Sequence, residues 1–127
     1  MAITLITYGL SKRKTYPEST VKFDCQVLDN PPSVLWKLDG RSPDLRSSIV
    51  SQIVTSTKKQ KWFEYTYKQI EKTLFSFGEA VNDATTNIVI AFYCQGGRHR
   101  SASVAEIISQ MLNNNGYQHK IKHYELG

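Results

Sequence analysis

The chain contains few cysteines, and their scarcity excludes several kinds of protein. Its 127 residues include two, Cys25 and Cys94, and no Cys-x-x-Cys motif. Two isolated cysteines supply neither a disulfide framework nor a zinc site. We therefore expect reduced thiols, no metal and no cofactor, as is usual in a cytoplasmic protein.

Long apolar runs are missing as well. The opening segment "MAITLITYGLSKRK" has an apolar run too short to cross a membrane, and its charges follow that run rather than precede it. A signal peptide has the opposite order, so we infer neither export nor membrane anchoring. No repeat, low-complexity tract or linker interrupts the chain, and its length is close to the commonest domain size. We predict a single domain over residues 1–127.

Positive charge is in excess. Sixteen Lys and Arg against eleven Asp and Glu give a net charge of +5 and a pI near 9.3. Such a balance favours anionic partners, namely nucleic acid, nucleotides or phosphorylated metabolites, although a solvated basic face explains it equally well. The sequence leaves homo-oligomerisation open.

Four segments have the pattern of β-strands. They are Ile3–Tyr8, Val21–Leu28, Asn87–Cys94 and the terminal run "HKIKHYEL". The third is almost continuously apolar, which is typical of a central strand buried on both faces. The fourth is short and polar, as edge strands are.

Three segments have helical patterns. The first begins with Ser42 as a cap and Pro43 at the first helical position. The third follows the glycine loop over residues 101–115, with capping-box spacing between Ser103 and Glu106. The second has an apolar stripe that we assign to the core: Phe63, Tyr67, Ile70, Leu74, Phe77 and Val81. We predict an α/β fold in which helices pack on a mixed sheet of about four strands.

The stretch "CQGGRHRS" lies between the predicted central strand and the third helix. Ligands of α/β folds bind at this end of the strands. A glycine pair lets backbone N–H groups turn toward an anion, and cations at a helix start are unfavourable unless an anion is bound. We therefore predict a phosphate site made of Cys94, Gly96, Gly97, Arg98, His99, Arg100 and Ser101. The basic loop residues Lys12, Arg13 and Lys14 extend this positive surface.

A second interpretation is a cysteine-dependent phosphatase. Cys94, Arg100 and Ser101 have the spacing of the "C-x-x-G-x-x-R-S/T" loop, in which the thiol attacks phosphorus. However, Tyr93 stands where tyrosine phosphatases commonly have His, and a buried Cys is usually an apolar filler. No general acid stands out among the candidates Asp24, Asp29, Asp39 and Asp44. The sequence thus favours binding over catalysis and leaves both open.

The loop and its surroundings resemble the RapZ C-terminal domain family. The segment "CQGGRHRSASVAE" is similar to the family's "C-T-G-G-x-H-R-S-V-x-x-A-E", and "FDCQVLDNP" is similar to "F-D-V-R-F-L-P-N-P". Further likenesses join "ITYGL" to "S-F-G-x-K-Y-G", "LDGRSPDL" to a "T-G-x-D" turn and "KHYEL" to "H-R-D-L". Order and spacing agree over nearly the whole chain.

This resemblance implies an α/β domain that binds a phosphorylated ligand at the glycine loop. In the family this domain recognises small regulatory RNA and senses an amino-sugar phosphate, so the implied partners are RNA, such a phosphate or a nucleotide. The matching residues add Asp24, Asn30 and His123 as secondary contacts. Gln26 and Tyr124 depart from the family, which has Arg at both positions. The chain contains no G-x-x-x-x-G-K motif, which the family's nucleotide-binding domain would supply.

Overall fold

The computed structural model, which describes residues 2–79 and 86–127, has two strands followed by two long helices and then a strand, a helix and a strand. The strands are Ala2–Gly9 (β1), Val21–Asp24 (β2), Asn87–Cys94 (β3) and Lys120–His123 (β4). The helices are Pro43–Thr55 (α1), Thr57–Glu79 (α2) and Arg100–Asn114 (α3). Short 3-10 turns lie at Leu10–Lys12, Cys25–Val27 and Ser33–Leu35.

The strands form one sheet in the order β2-β3-β1-β4. The predicted α/β class with four strands is confirmed, but the pairing is parallel throughout instead of mixed. Every strand must therefore be reached by a crossover, and α3 lies in the connection between β3 and β4. In the central pair Gly9 is opposite Cys94, so β1 and β3 end side by side.

The main core lies between the sheet and the helices. The β3 residues Ile88, Ile90 and Phe92 are fully buried there. On the other face of the sheet Ala91 joins Ile6 and Tyr8 in a smaller cluster. Helices α1, α2 and α3 all contribute to the main core, so they cover the same sheet face.

The apolar stripe of α2 packs much as its spacing predicts. Ile70 and Leu74 are buried, and three further members are half-buried against the same core: Phe63, Tyr67 and Phe77. Val81, the last predicted member, lies outside the described residues. Of the helices in those described ranges, none is both long and apolar enough to cross a membrane.

One predicted boundary and one predicted cap are wrong. Strand β2 ends at Asp24 rather than at Leu28, because the Asp24 carboxylate accepts the backbone N–H of Gln26 at 2.9 Å and turns the chain. Helix α3 begins at Arg100, so Ser103 lies inside it and is no cap. The Ser103 hydroxyl is buried without a hydrogen-bond partner in the described part of the chain.

Candidate anion site at the amino end of α3

Two glycines, Gly9 and Gly97, bring the loop before α3 into contact with neighbouring backbone. Gly97 has a φ of +72°, and a Cβ there would lie 2.5 Å from the backbone nitrogen of Gly9. A Cβ on Gly9 would in turn meet the Gly96 carbonyl carbon at 2.5 Å. Around Gly96 the space is open, since a Cβ would meet nothing within 4 Å. The loop is therefore packed on one side and open on the other.

The segment that precedes α1 holds the loop from a second direction. The N–H of Gly40 donates to the carbonyl of Arg98 at 2.9 Å. His99 donates from Nε2 to the Trp36 carbonyl, 3.2 Å away. A Cβ on Gly40 would lie 2.3 Å from the nitrogen of Ser103, so this segment touches the first turn of α3 directly.

Several backbone N–H groups of the loop have no backbone acceptor in the described residues. Within residues 2–79 and 86–127, the amides of Gly96, Arg98 and His99 donate to no backbone carbonyl. The amides of Arg100, Ser101 and Ala102 precede the first i to i−4 hydrogen bond of α3, which runs from the Ser103 N–H to the His99 carbonyl at 3.0 Å. A loop of this kind, at the positive end of a helix dipole, has the donors that an anion needs.

The Cys94 thiol sits beneath the loop. It is 2% exposed, donates to Ser101 Oγ at 3.2 Å and accepts the N–H of Gly97 at 3.3 Å. The other cysteine, Cys25, is fully buried, and burial raises the pKa of its thiol well above the ordinary value, with a further increase from nearby Cys94. Cys94 thus has polar partners that tie it to the loop.

A cavity of about 330 Å³ opens beside these residues. Apart from Ser101, which is buried behind Cys94, all the predicted loop residues line it, together with Gln95, Lys12, Asn30 and Trp36. The Arg100 guanidinium donates to the carbonyl of Leu28 at 3.0 Å, which fixes it at the cavity wall. No carboxylate from the described residues lines the cavity.

Two predicted contacts in the basic loop lie elsewhere. Arg13 donates from Nε to Glu125 Oε2 at 2.8 Å, and the same oxygen accepts the N–H of Gly9 at 3.0 Å. Lys14 is exposed and does not line the cavity. Of the three basic residues, the structure brings Lys12 to the loop, while Arg13 supports Gly9 through Glu125.

Two further predicted contacts are also absent from the cavity lining. The Asp24 carboxylate is occupied by Gln26, as described above. The ring of His123 is held between Thr7 Oγ1, 2.7 Å from Nδ1, and Glu106 Oε1, 3.2 Å from Nε2. In this structure His123 joins β4 to β1 and α3.

Sequence reasoning missed Trp36, which lines the cavity, and two glycines that contact its loop or the first turn of α3. Trp36 follows the two prolines after β2, and a tryptophan in a polar loop is the one signal that could have drawn attention to it. From the sequence alone, Gly9 is the residue after a predicted strand and Gly40 is a turn residue. Their role depends on backbone contacts with distant residues, which no local pattern reveals.

Comparison with known proteins adds a family match. A family model described as the RapZ C-terminal domain matches residues 1–127. A protein named nucleotide-binding protein from Jannaschia sp. (strain CCS1) is 31% identical over 98% of this chain and 38% of its own length. Another, from Caldicellulosiruptor bescii, is 29% identical over 99% of this chain and 41% of its own length. The chain thus spans about two fifths of these relatives.

Proposed function

This chain belongs to the RapZ C-terminal domain family, and on that premise we propose that residues 94–101 bind the phosphate group of a nucleotide, another phosphorylated metabolite or RNA. The observation that carries the proposal is the set of loop amides without carbonyl acceptors beside an open cavity. The name of the relatives, nucleotide-binding protein, is consistent with it.

The charges around the cavity also support this proposal. Lys12, Arg98 and Arg100 line it, and no carboxylate of the described residues offsets them. Arg100 is fixed by the Leu28 carbonyl, so its remaining N–H groups are held in place for a phosphate oxygen. Charge-assisted hydrogen bonds from arginine to phosphate are among the strong ones.

The test is the binding of inorganic phosphate, measured by isothermal titration calorimetry. Arg100→Ala should weaken binding about tenfold to a hundredfold, because it removes charge-assisted hydrogen bonds. The matched control is Arg46→Ala, since Arg46 also donates to a backbone carbonyl, that of Arg41 at 2.7 Å, but does not line this cavity. Equal phosphate affinity in the two variants would contradict the proposal.

RNA is a larger ligand that fits the same chemistry. We expect it to be held mainly through phosphates, so its affinity should fall steeply as salt rises. Arg98→Ala should lower the slope of log Kd against log salt concentration by about one. Lys68→Ala is the control, because Lys68 is an exposed cation on α2 away from the cavity. Binding that is insensitive to salt would exclude this mode.

Catalysis is the second candidate, and the surroundings of Cys94 favour it. Its sulfur has the contacts to Ser101 Oγ and the Gly97 N–H that a thiolate nucleophile could use. A general acid is missing, however, since no described carboxylate lines the cavity. Asp39, one candidate, has its pKa lowered to about 2 by the hydrogen bond from the Arg41 side chain, the wrong direction for a proton donor near neutral pH.

An aryl phosphate assay separates the two candidates. If the loop only binds, the protein should release no phosphate, and Cys94→Ser should leave phosphate affinity nearly unchanged. If the loop is catalytic, hydrolysis should be measurable and should vanish in Cys94→Ser while phosphate still binds, because a hydroxyl poorly replaces a thiolate nucleophile. We expect the first result, on the strength of the missing acid.

A further inference from the structure

We propose that Trp36 stacks on the base of a nucleoside 5′-monophosphate whose phosphate lies in the 94–101 loop. This inference rests on the proposed phosphate site and names the ligand class that the site takes. Besides the loop with its amides and arginines, the cavity lining contains Trp36, Asn30 and Lys12.

Trp36 is anchored through its polar atoms. The indole Nε1 donates to the carbonyl of Pro31 at 2.7 Å, and the backbone N–H of Trp36 donates to the carbonyl of Ser33 at 3.1 Å. Its backbone carbonyl accepts from His99, a residue of the loop itself, at 3.2 Å. Trp36 is nevertheless 54% exposed. Because its N–H is already satisfied, the ring offers an apolar face fixed at a set distance from the loop.

The lining residues outside the loop fit a base better than a sugar. A hexose phosphate presents several hydroxyls that lose water on binding and need protein partners. Outside the loop, the cavity lining contains one neutral amide, Asn30, and one ammonium, Lys12. A purine or pyrimidine needs an aromatic face and few edge contacts, and an exposed Asn amide can both donate to and accept from a base edge.

The size of the cavity agrees with this choice. About 330 Å³ is at the lower end of the range for small-ligand sites, which suits one nucleotide rather than two.

Intrinsic fluorescence provides a direct test, since the chain has two tryptophans, Trp36 and Trp62. Trp62 packs against the core from α2, so Trp62→Phe leaves Trp36 as the remaining indole. In this variant, adenosine 5′-monophosphate should quench the fluorescence, while inorganic phosphate should bind with little quenching. We expect the nucleotide to bind about tenfold more tightly than phosphate, the usual size of one base-aromatic stack.

Substitution of Trp36 then identifies the source of that difference. Trp36→Leu should abolish the tenfold advantage of the nucleotide and leave phosphate affinity unchanged, whereas Trp36→Phe should retain part of the advantage. Circular dichroism and thermal unfolding of each variant verify that the fold is kept.

The outcomes distinguish this inference from the phosphate site itself. Equal binding of the nucleotide and phosphate by the unsubstituted protein would overturn the stacking and leave the phosphate site standing. Tighter binding of glucosamine 6-phosphate than of the nucleotide, unchanged in Trp36→Leu, would also overturn it. Loss of phosphate affinity in a folded Trp36→Leu would show that Trp36 only supports the loop. If none of the three compounds binds, the phosphate site and the stacking fail together.

Discussion

A glycine with a positive φ lies at each end of α3, but the two ends differ in how their backbone groups are hydrogen-bonded. Each has a glycine in the left-handed region, Gly97 with φ +72° before the helix and Gly116 with φ +79° after it. At the carboxyl end the last carbonyls of the helix are hydrogen-bonded by the chain that follows. The N–H of Tyr117 donates to the Leu112 carbonyl at 2.9 Å, and the N–H of Gly116 donates to the Asn113 carbonyl at 3.1 Å. Gly116 lies in open space.

At the amino end the reverse holds. Gly97 is pressed against Gly9, and Gly40 against Ser103, so the backbone is tightly packed. Yet amides of the same loop have no carbonyl acceptor within the described residues. A helix end that satisfies its own backbone groups needs no ligand. An end whose donors remain available, although its position is fixed by close contacts, has the properties of a binding site.

The largest expected effect is a difference in the free energy of unfolding between substitutions of Gly97 and of Gly116. Gly97→Ala should lower the free energy of unfolding by about 3 kcal/mol, because it adds a left-handed alanine and a Cβ that meets backbone. Gly116→Ala carries the first cost without the second, so about 1 kcal/mol is expected. Urea unfolding followed by circular dichroism measures both. Similar losses in the two variants would mean that the amino end is no more tightly packed than the carboxyl end.

The sequence predicted the fold through features that act locally. Alternation and continuous apolar character located β1 and β3, and a spacing of three and four residues located the core stripe of α2. The parallel pairing could not be obtained in this way, because it depends on how each connection crosses the sheet. The early end of β2 was hidden because Val21, Phe23, Cys25 and Val27 continue an alternating pattern through the turn that Asp24 initiates.

The cavity lining was predictable where its residues are contiguous in the sequence. The loop from Cys94 to Arg100 faces one cavity because its residues are neighbours in sequence. Trp36 was missed, and Arg13 and His123 were placed in the site, because their positions depend on partners far along the chain. Arg13 pairs with Glu125, and His123 with Thr7. No local periodicity encodes such contacts.

A second pair of variants compares the loop thiol with the core thiol. Cys25→Ser should lower the free energy of unfolding by about 2 kcal/mol, because it buries a hydroxyl among apolar side chains, with the Phe23 carbonyl 3.9 Å from the present sulfur. Cys94→Ser should cost less than about 1 kcal/mol, since a hydroxyl can keep the partners of the sulfur, Gly97 and Ser101. Thermal unfolding measures the difference. A larger loss of stability in Cys94→Ser than in Cys25→Ser would show that Gly97 and Ser101 do not stabilise a hydroxyl at position 94.

The smallest expected effect is the loss of stability at low pH that comes from Asp39, in the segment that contacts the amino end of α3. Hydrogen bonds from the Arg41 side chain lower the pKa of Asp39 from 3.8 to about 2, and Asp39 adjoins Gly40, which contacts the helix. A carboxyl whose pKa is lower in the folded state stabilises the fold above the unfolded pKa. This stabilisation is therefore complete above about pH 4 and is lost as the pH falls through 2.

The expected contribution is about 1 kcal/mol or less, because Arg41 is half exposed and water screens the pair. Unfolding in urea at several pH values between 5 and 2 tests it: Asp39→Asn should be less stable than the unsubstituted protein at pH 5, and the gap should close toward pH 2. Asp44→Asn is the control, since Asp44 is an exposed carboxylate in the first turn of α1 and does not line the cavity. Only Asp39→Asn should lose part of the acid sensitivity and also weaken phosphate binding at pH 5, because its segment holds the loop. Unchanged phosphate affinity in Asp39→Asn would mean that the packed glycines alone keep the amino end of α3 in place.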